Sequence, residues 1–151
     1  SAGYFLTRNK NIKIYLFEPL PENISRLKTN LQGFESRYEL HEVAVGLENG
    51  HADFGFEATG RYGGLKSNLP ETIQVQVRKV EEIISSILEK EDHIDILKID
   101  VEGLETAIVK SLSPDNLKNI NRVYAETIYS ECLPGFDKEQ YGEVVRFRKI
   151  L

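Results

Sequence analysis

The chain of 151 residues has the length of one ordinary domain, and its 40% hydrophobic and 28% charged residues argue against a disordered tail, a collagen-like repeat or a membrane protein. The excess of 24 acidic over 19 basic residues gives a net charge of -5, the wrong sign for a protein that gains affinity by neutralising phosphates, so nucleic acid is disfavoured as a partner. No apolar run reaches the roughly 20 residues that span a bilayer.

The first third of the chain predicts a strand, a helix and a second strand. A β-prone run at residues 12–17 stops before Pro19, which cannot donate to a strand ladder. Pro21 suits the first turn of a helix, and Gly33 offers its C-terminal stop. Residues 38–45 form the next strand candidate.

Two alternating segments follow, with a loop between them. Residues 52–56 and 73–77 alternate in polarity, which indicates a half-exposed antiparallel pair. The glycine-rich stretch at 58–70 has the composition and length of a lid or binding loop that would present Arg61 and Tyr62, although a plain hairpin loop is the simpler interpretation.

The second half alternates strands with helices. Apolar spacing predicts a helix over 80–88, a strand over 94–101 that is covered on both faces, a helix over 104–112 and a buried strand over 121–127. Residues 141–151 are predicted as a strand, with a helix as the alternative.

This order of elements predicts an α/β, Rossmann-like fold in one domain. Parallel neighbours need a crossover, which the intervening helices supply. Ligands of such sheets bind beyond the carboxyl ends of the strands, so the residues that follow each strand are the candidates for function.

Glu18 follows the first predicted strand directly. Its carboxylate can accept two hydrogen bonds from a ribose diol, the role of an acidic residue at this place in nucleotide-binding α/β folds. The alternative is a surface carboxylate before a turn. Glu126 ends the strand over 121–127 at the same edge, where it is either a functional group or a solvated strand end.

Lys98 and Asp100 are unusual because they lie inside an apolar strand. Alternation places both on one face, where they can pair with each other, and Asp100 falls at the ligand-facing end. Glu102 and Glu105 share a face of the next helix. In the alternative interpretation, Asp100 caps the next helix, and Glu102 and Glu105 interact favourably with the dipole of that helix. This alternative does not explain Lys98.

Metal binding and disulfide bonding have weak support. The three histidines, His41, His51 and His93, lack the spacing of metal ligands. Four carboxylates could gather round a divalent cation, namely Asp100, Glu102, Glu105 and Glu126, but oxygen ligands have no diagnostic spacing in sequence. We therefore assign no metal. The single cysteine excludes an intrachain disulfide and makes a reducing, cytoplasmic compartment the default expectation.

Several segments together resemble the FkbM-like family of S-adenosylmethionine-dependent methyltransferases. They are Phe17-Glu18-Pro19-Leu20-Pro21-Glu22-Asn23, Val43-Ala44-Val45-Gly46, Gly63-Gly64 and Lys98-Ile99-Asp100-Val101-Glu102-Gly103-Leu104-Glu105. The first and last are specific as a pair. The resemblance covers roughly residues 12–127 and implies a class I methyltransferase that modifies a hydroxyl, on a sugar, glycan or secondary metabolite.

The resemblance also implies roles for particular residues. Glu18, with the adjacent Pro19, would bind the ribose of S-adenosylmethionine, and Val43 and Ala44 would lie against the adenine. Asp100 would sit near the methionine end of the cofactor and near the acceptor.

The start of the sequence departs from the family pattern. Residues 1–6 are similar to the helix that follows a strand and a Gly-rich cofactor loop, and that strand and loop are missing from the sequence, which begins with Ser1 and contains no methionine. We expect either that they precede Ser1 in the natural protein or that this chain binds the cofactor poorly.

Methyl transfer to an alcohol requires removal of its proton. Asp100 and Glu126 are the candidate bases, Lys98 would orient Asp100 or lower its pKa, and the 58–70 loop would close over the acceptor. Two alternatives stay open: a catalytically inactive nucleotide-binding or structural module on the same scaffold, and a nicotinamide-dependent oxidoreductase, which leaves the Lys98–Glu105 segment unexplained. The acceptor and the oligomeric state are not predicted.

Overall fold

The computed structural model describes residues 2–57, 63–65 and 69–150. In this part of the chain the helices are α1 (Ala2–Arg8), α2 (Pro21–Asn30), α3 (Val80–Glu91), α4 (Glu105–Ser111) and α5 (Pro114–Leu117). The strands are β1 (Ile14–Phe17), β2 (Tyr38–His41), β3 (Ala44–Gly46), β4 (Gly50–Phe56), β5 (Gly63–Leu65), β6 (Glu71–Lys79), β7 (Leu97–Ile99), β8 (Arg122–Ala125), β9 (Phe136–Tyr141) and β10 (Val144–Lys149). A single 3-10 turn at Glu35–Arg37 precedes β2.

The described residues form two compact units. The first contains residues up to 44 and residues 51–77, and the second contains residues 45–50 and residues from 78 onwards. Among the described residues, no helix combines the length and the apolar character that crossing a membrane requires.

In the first unit, β1 and β2 form a parallel pair joined by α2. The register runs from Ile14 opposite Tyr38 to Phe17 opposite His41, so both strands end at the same level. Pro21 begins α2, as predicted, and the helix buries Ile24. The β1–α2–β2 unit therefore confirms the predicted crossover, but the strand expected over 38–45 is divided into β2 and β3.

A four-stranded sheet has the order β3-β6-β4-β5. In β6, Val75 and Val77 are buried and the glutamines between and before them are exposed, which confirms the predicted half-exposed strand. The predicted 58–70 loop is partly wrong, because residues 63–65 are strand β5, paired antiparallel with β4. Arg61 and Tyr62 lie outside the described residues.

In the second unit, the sheet has the order β7-β8-β10-β9, with β7 and β8 parallel and β10 antiparallel to β8. One face of this sheet packs with α3, α4 and α5 around a core that includes Ile84, Val109, Val123 and Phe147. The two predicted helices and the predicted strand over 121–127 are confirmed as α3, α4 and β8.

One prediction for the second unit is wrong in part, and another is confirmed. The strand expected over 94–101 is only β7, and it is not covered on both faces, because Ile96 keeps 38% of its surface and the Lys98 side chain is exposed. The strand predicted over 141–151, rather than the alternative helix, is confirmed as β10, which forms a hairpin with β9. The hairpin turns at Gly142, whose φ of 57° is favourable for glycine.

Candidate functional site

Glu18 lies directly after β1 in the first unit. Its backbone N–H donates to the carbonyl of His41 at 3.1 Å, and this bond fixes it at the carboxyl end of the β1–β2 pair. Its Oε1 accepts the N–H of Leu20 at 3.0 Å. Burial raises the pKa of Glu18, while the hydrogen bonds from the Leu20 N–H and the Asn23 side chain oppose this effect. The fold therefore holds a half-buried carboxylate at the predicted ligand-facing edge.

The other predicted cofactor residues in this part of the chain differ in exposure. Pro19 is half-buried beside Glu18. Val43 and Ala44 are buried, and Ala44 shares a small hydrophobic cluster with Val75 and Val77. Because Val43 and Ala44 come two and three residues after the last residue of β2, they too are placed near the carboxyl end of the parallel pair.

Lys98, Asp100 and Glu126 come together at the carboxyl ends of β7 and β8 in the second unit. Ile99 stands opposite Ala125 in the parallel register, and the Glu126 N–H donates to the Ile99 carbonyl at 3.2 Å. Asp100 and Glu126 thus leave their strands side by side. The Lys98 Nζ lies 2.5 Å from Asp100 Oδ2, which confirms that the two residues share one face.

The two carboxyl groups are electrostatically unlike. Burial acts to raise the pKa of Asp100, but hydrogen bonds with Lys98 and Glu126, together with the lysine charge, outweigh it and the pKa is lowered. The pKa of Glu126 is raised, and the largest cause is the interaction of its side chain with Asp100 as a hydrogen-bonding group. The negative charge of Asp100 and burial raise it further. Two neighbouring carboxyl groups disfavour double ionisation, so this divergence has a direct physical cause.

The structure excludes the helix-cap alternative for Asp100. The N-cap of α4 is Leu104, and no side chain caps it. Glu105 accepts the Gly103 N–H at 3.1 Å, so its Oε2 holds the turn before the helix. No group of three or more His, Cys, Asp or Glu side chains suited to a metal ion occurs in the described parts of the chain, and the predicted absence of a metal stays a prediction.

Sequence analysis missed three polar residues next to this edge. The hydroxyls of Thr106 and Thr127 lie 2.9 Å apart. Gln140 of β9 donates to the carbonyls of Thr127 and Gly142 at 3.1 and 2.9 Å. The sequence offered no signal for them, because these contacts join segments that lie 21 and 13 residues apart along the chain.

The helices, the parallel pairs β1–β2 and β7–β8 and the acidic residues that follow them give a mixed α/β structure that is consistent with a methyltransferase fold. A model of the methyltransferase FkbM domain matches residues 2–149, so the chain belongs to the FkbM methyltransferase domain family. This match confirms the resemblance found in the sequence. Comparison with curated proteins and with solved structures gave no match for the chain.

Proposed function

We propose that the protein is an S-adenosylmethionine-dependent methyltransferase that methylates a hydroxyl group of a sugar, a glycan or a secondary metabolite. The observation that carries this proposal is the FkbM domain match over residues 2–149, which spans both compact units. Because one family domain covers both, we also propose that they form a single methyltransferase domain.

Glu18 has the properties expected of a residue that binds the cofactor ribose. A carboxylate has about four acceptor positions, and the hydrogen bonds from Leu20 and Asn23 use only part of this capacity. Burial disfavours its charge, so donors from a ribose diol would add hydrogen bonds to those that Leu20 and Asn23 supply. Pro19 would flank the ribose, and Val43 and Ala44 would form the apolar surface for the adenine.

The Lys98, Asp100 and Glu126 group suits proton removal from an alcohol. S-adenosylmethionine supplies an activated methyl group on a sulfonium centre. Asp100 or Glu126 would accept the hydroxyl proton of the acceptor, and Asp100 would also lie near the methionine end of the cofactor. Lys98 would act as a positioning residue, since its ammonium group fixes one oxygen of Asp100.

Binding and transfer can be tested separately in the full-length protein. Calorimetric titration of S-adenosylhomocysteine should give saturable heat, whereas an inactive scaffold should give none. Transfer from radiolabelled S-adenosylmethionine to a panel of sugars, glycans and phenols should then identify the acceptor class. Asp100→Asn is expected to lower the transfer rate by about 10²- to 10⁴-fold, the contribution of a general base. Unaltered turnover in Asp100→Asn, or no cofactor binding, would refute the proposal.

We propose a cytoplasmic location and a small-molecule or glycan acceptor, with no nucleic-acid partner. The free thiol of Cys132 is exposed, which suits a reducing compartment. The net charge of -5 disfavours attraction to phosphate backbones. Fluorescence microscopy of the tagged full-length protein would test the location, since a secreted protein would accumulate outside the cell.

A further inference from the structure

The end of β8 places one acidic side chain beside the acidic side chain that follows β7. In the parallel register Lys98 stands opposite Tyr124, so the next residues on the same face of each strand are Asp100 and Glu126. The bond from the Glu126 N–H to the Ile99 carbonyl holds the two residues side by side, and each carboxyl group shifts the pKa of the other. Neighbouring carboxyl groups disfavour double ionisation, so we expect the pair to keep one proton to a higher pH than an isolated carboxyl group would.

The surroundings decide which carboxyl group carries that proton. Lys98 reaches Asp100 directly, with Nζ 2.5 Å from Oδ2, and stabilises a negative charge there. Glu126 is exposed, and the negative charges of Asp100 and Glu105 raise its pKa. The positive charge of Lys98 opposes this increase. These surroundings favour the charged form of Asp100 and the protonated form of Glu126.

We propose that Asp100 and Glu126 form one functional carboxyl pair with a single shared proton, in which Asp100 is the ionised base and Glu126 releases protons to solvent. The assignment of Asp100 as the base rests on the proposed methyltransferase function, whereas proton sharing is a property of the folded chain alone.

The proposed step balances in atoms and charge. The acceptor oxygen forms a bond to the methyl carbon while the bond from that carbon to sulfur breaks, and the bonding pair stays on sulfur. The hydroxyl proton passes to Asp100, so the pair then holds two protons. Glu126, which faces solvent, loses one proton to water, and the pair returns to its singly protonated state.

Proton sharing is tested by NMR titration of the ¹³C-labelled Asp and Glu carboxyl groups in the full-length protein without ligand. In the wild type, the Asp100 and Glu126 signals should each respond to both titration steps, as coupled groups do. Asp100→Asn should lower the pKa of Glu126, and Lys98→Gln should raise the pKa of Asp100. Glu105→Gln is the matched control, because it removes a neighbouring charge and should leave the coupling intact. Independent one-step titrations, unchanged by substitution of the partner, would overturn the pair.

The division of roles is tested by kinetics on variants whose ¹⁵N spectra show a native fold. Glu126→Gln should reduce kcat by roughly tenfold and alter the acidic limb of the pH profile, while Asp100→Asn should cost about 10²- to 10⁴-fold. An equal or larger loss in Glu126→Gln would make Glu126 the base and overturn the assignment. Failure of the methyltransferase proposal has a different signature, since S-adenosylhomocysteine would then give no heat while the carboxyl titrations stayed coupled.

Discussion

Glu18 is held in a position that does not favour its charge. Burial raises its pKa, and the backbone N–H of Leu20 and the side chain of Asn23 compensate only in part. Groups whose environment disfavours the form present at neutral pH are concentrated at functional sites, where a ligand completes the interactions. At the residue scale, Glu18 is therefore the part of the first unit where binding and stability are expected to oppose each other.

Glu18→Gln should weaken binding of S-adenosylhomocysteine by about 10- to 100-fold. The reason is that hydrogen bonds to a charged group are worth roughly 1.5 to 3 kcal/mol, and each 1.4 kcal/mol is tenfold in affinity. Isothermal titration calorimetry of the full-length protein measures this change. The matched control is Glu22→Gln, which removes the same formal charge from an exposed position in the first turn of α2 and should leave affinity unchanged.

The same substitution should change how stability depends on pH. A raised carboxyl pKa contributes stability that is complete below the unfolded value of about 4.3 and is lost as the pH rises through the folded value. The unfolding free energy of the wild type should therefore fall relative to that of Glu18→Gln between pH 4 and pH 7. Urea unfolding at several pH values measures it, and a constant difference across this range would contradict the burial of the carboxylate.

The sequence predicted neighbours within one segment better than neighbours that lie on different strands. Period-two alternation was sufficient to place Lys98 and Asp100 on one face, because Asp100 directly follows the strand that contains Lys98. The placement of Asp100 beside Glu126 could not be predicted, since it depends on the register between β7 and β8. Sequence spacing does not encode that register.

At the scale of elements, strong local signals gave correct results. Pro21 opened α2, and the apolar spacing over 80–88 is the inner face of α3. Short strands were harder to predict from the sequence. The sequence of β5 has three residues, two of them glycine, so it resembles that of a loop. In β9, exposed polar residues dominate because its partner β10 supplies most of the buried side chains of the hairpin. Pairing with a neighbour, rather than local propensity, defines such strands.

The turn between β7 and α4 depends on Gly103. Its φ of +86° is disfavoured for residues with a Cβ, although an added Cβ would meet no atom within 4 Å. Gly103→Ala should therefore lower the unfolding free energy by about 1 to 2 kcal/mol through backbone strain alone. Urea unfolding followed by far-UV circular dichroism measures this loss.

Gly3→Ala is the matched control, and it should have the opposite sign. Gly3 lies in α1, and an added Cβ would make an ordinary contact of 3.8 Å with Leu31 Cδ2. Alanine in a helix is more stable than glycine by up to about 1 kcal/mol. Equal effects of the two substitutions would show that the backbone conformation at residue 103 is not the cause.

At the scale of the whole molecule, length and composition predicted a folded chain and the order of elements predicted its α/β class, but neither could show how the core is assembled. The core of the second unit joins Val80 and Ile84 of α3 to Phe147 of β10, residues more than sixty positions apart in the sequence. Alternation predicts which face of a strand is buried, but not which distant element covers that face. The stability of this unit is therefore expected to depend on contacts that local patterns do not reveal.

Phe147 is the residue at which this dependence is best measured. It is completely buried in the core of the second unit, and its ring meets that of Tyr129 edge-on with centroids 5.7 Å apart. Phe147→Ala should lower the unfolding free energy by about 3 to 5 kcal/mol, because it removes apolar contacts and leaves a cavity. The chain has seven tyrosines and no tryptophan, so tyrosine fluorescence and circular dichroism in urea report the loss.

Phe5→Ala supplies the control for removal of the same side chain. Phe5 lies in α1 and keeps 39% of its surface exposed, so its loss should cost much less than that of Phe147. If Phe147→Ala cost less than about 1 kcal/mol, or no more than Phe5→Ala, the packing of β10 against the helices could not be the main stabilising feature of the second unit. If the cost is as large as expected, it consumes a substantial part of the roughly 5 to 15 kcal/mol by which folded domains are stable.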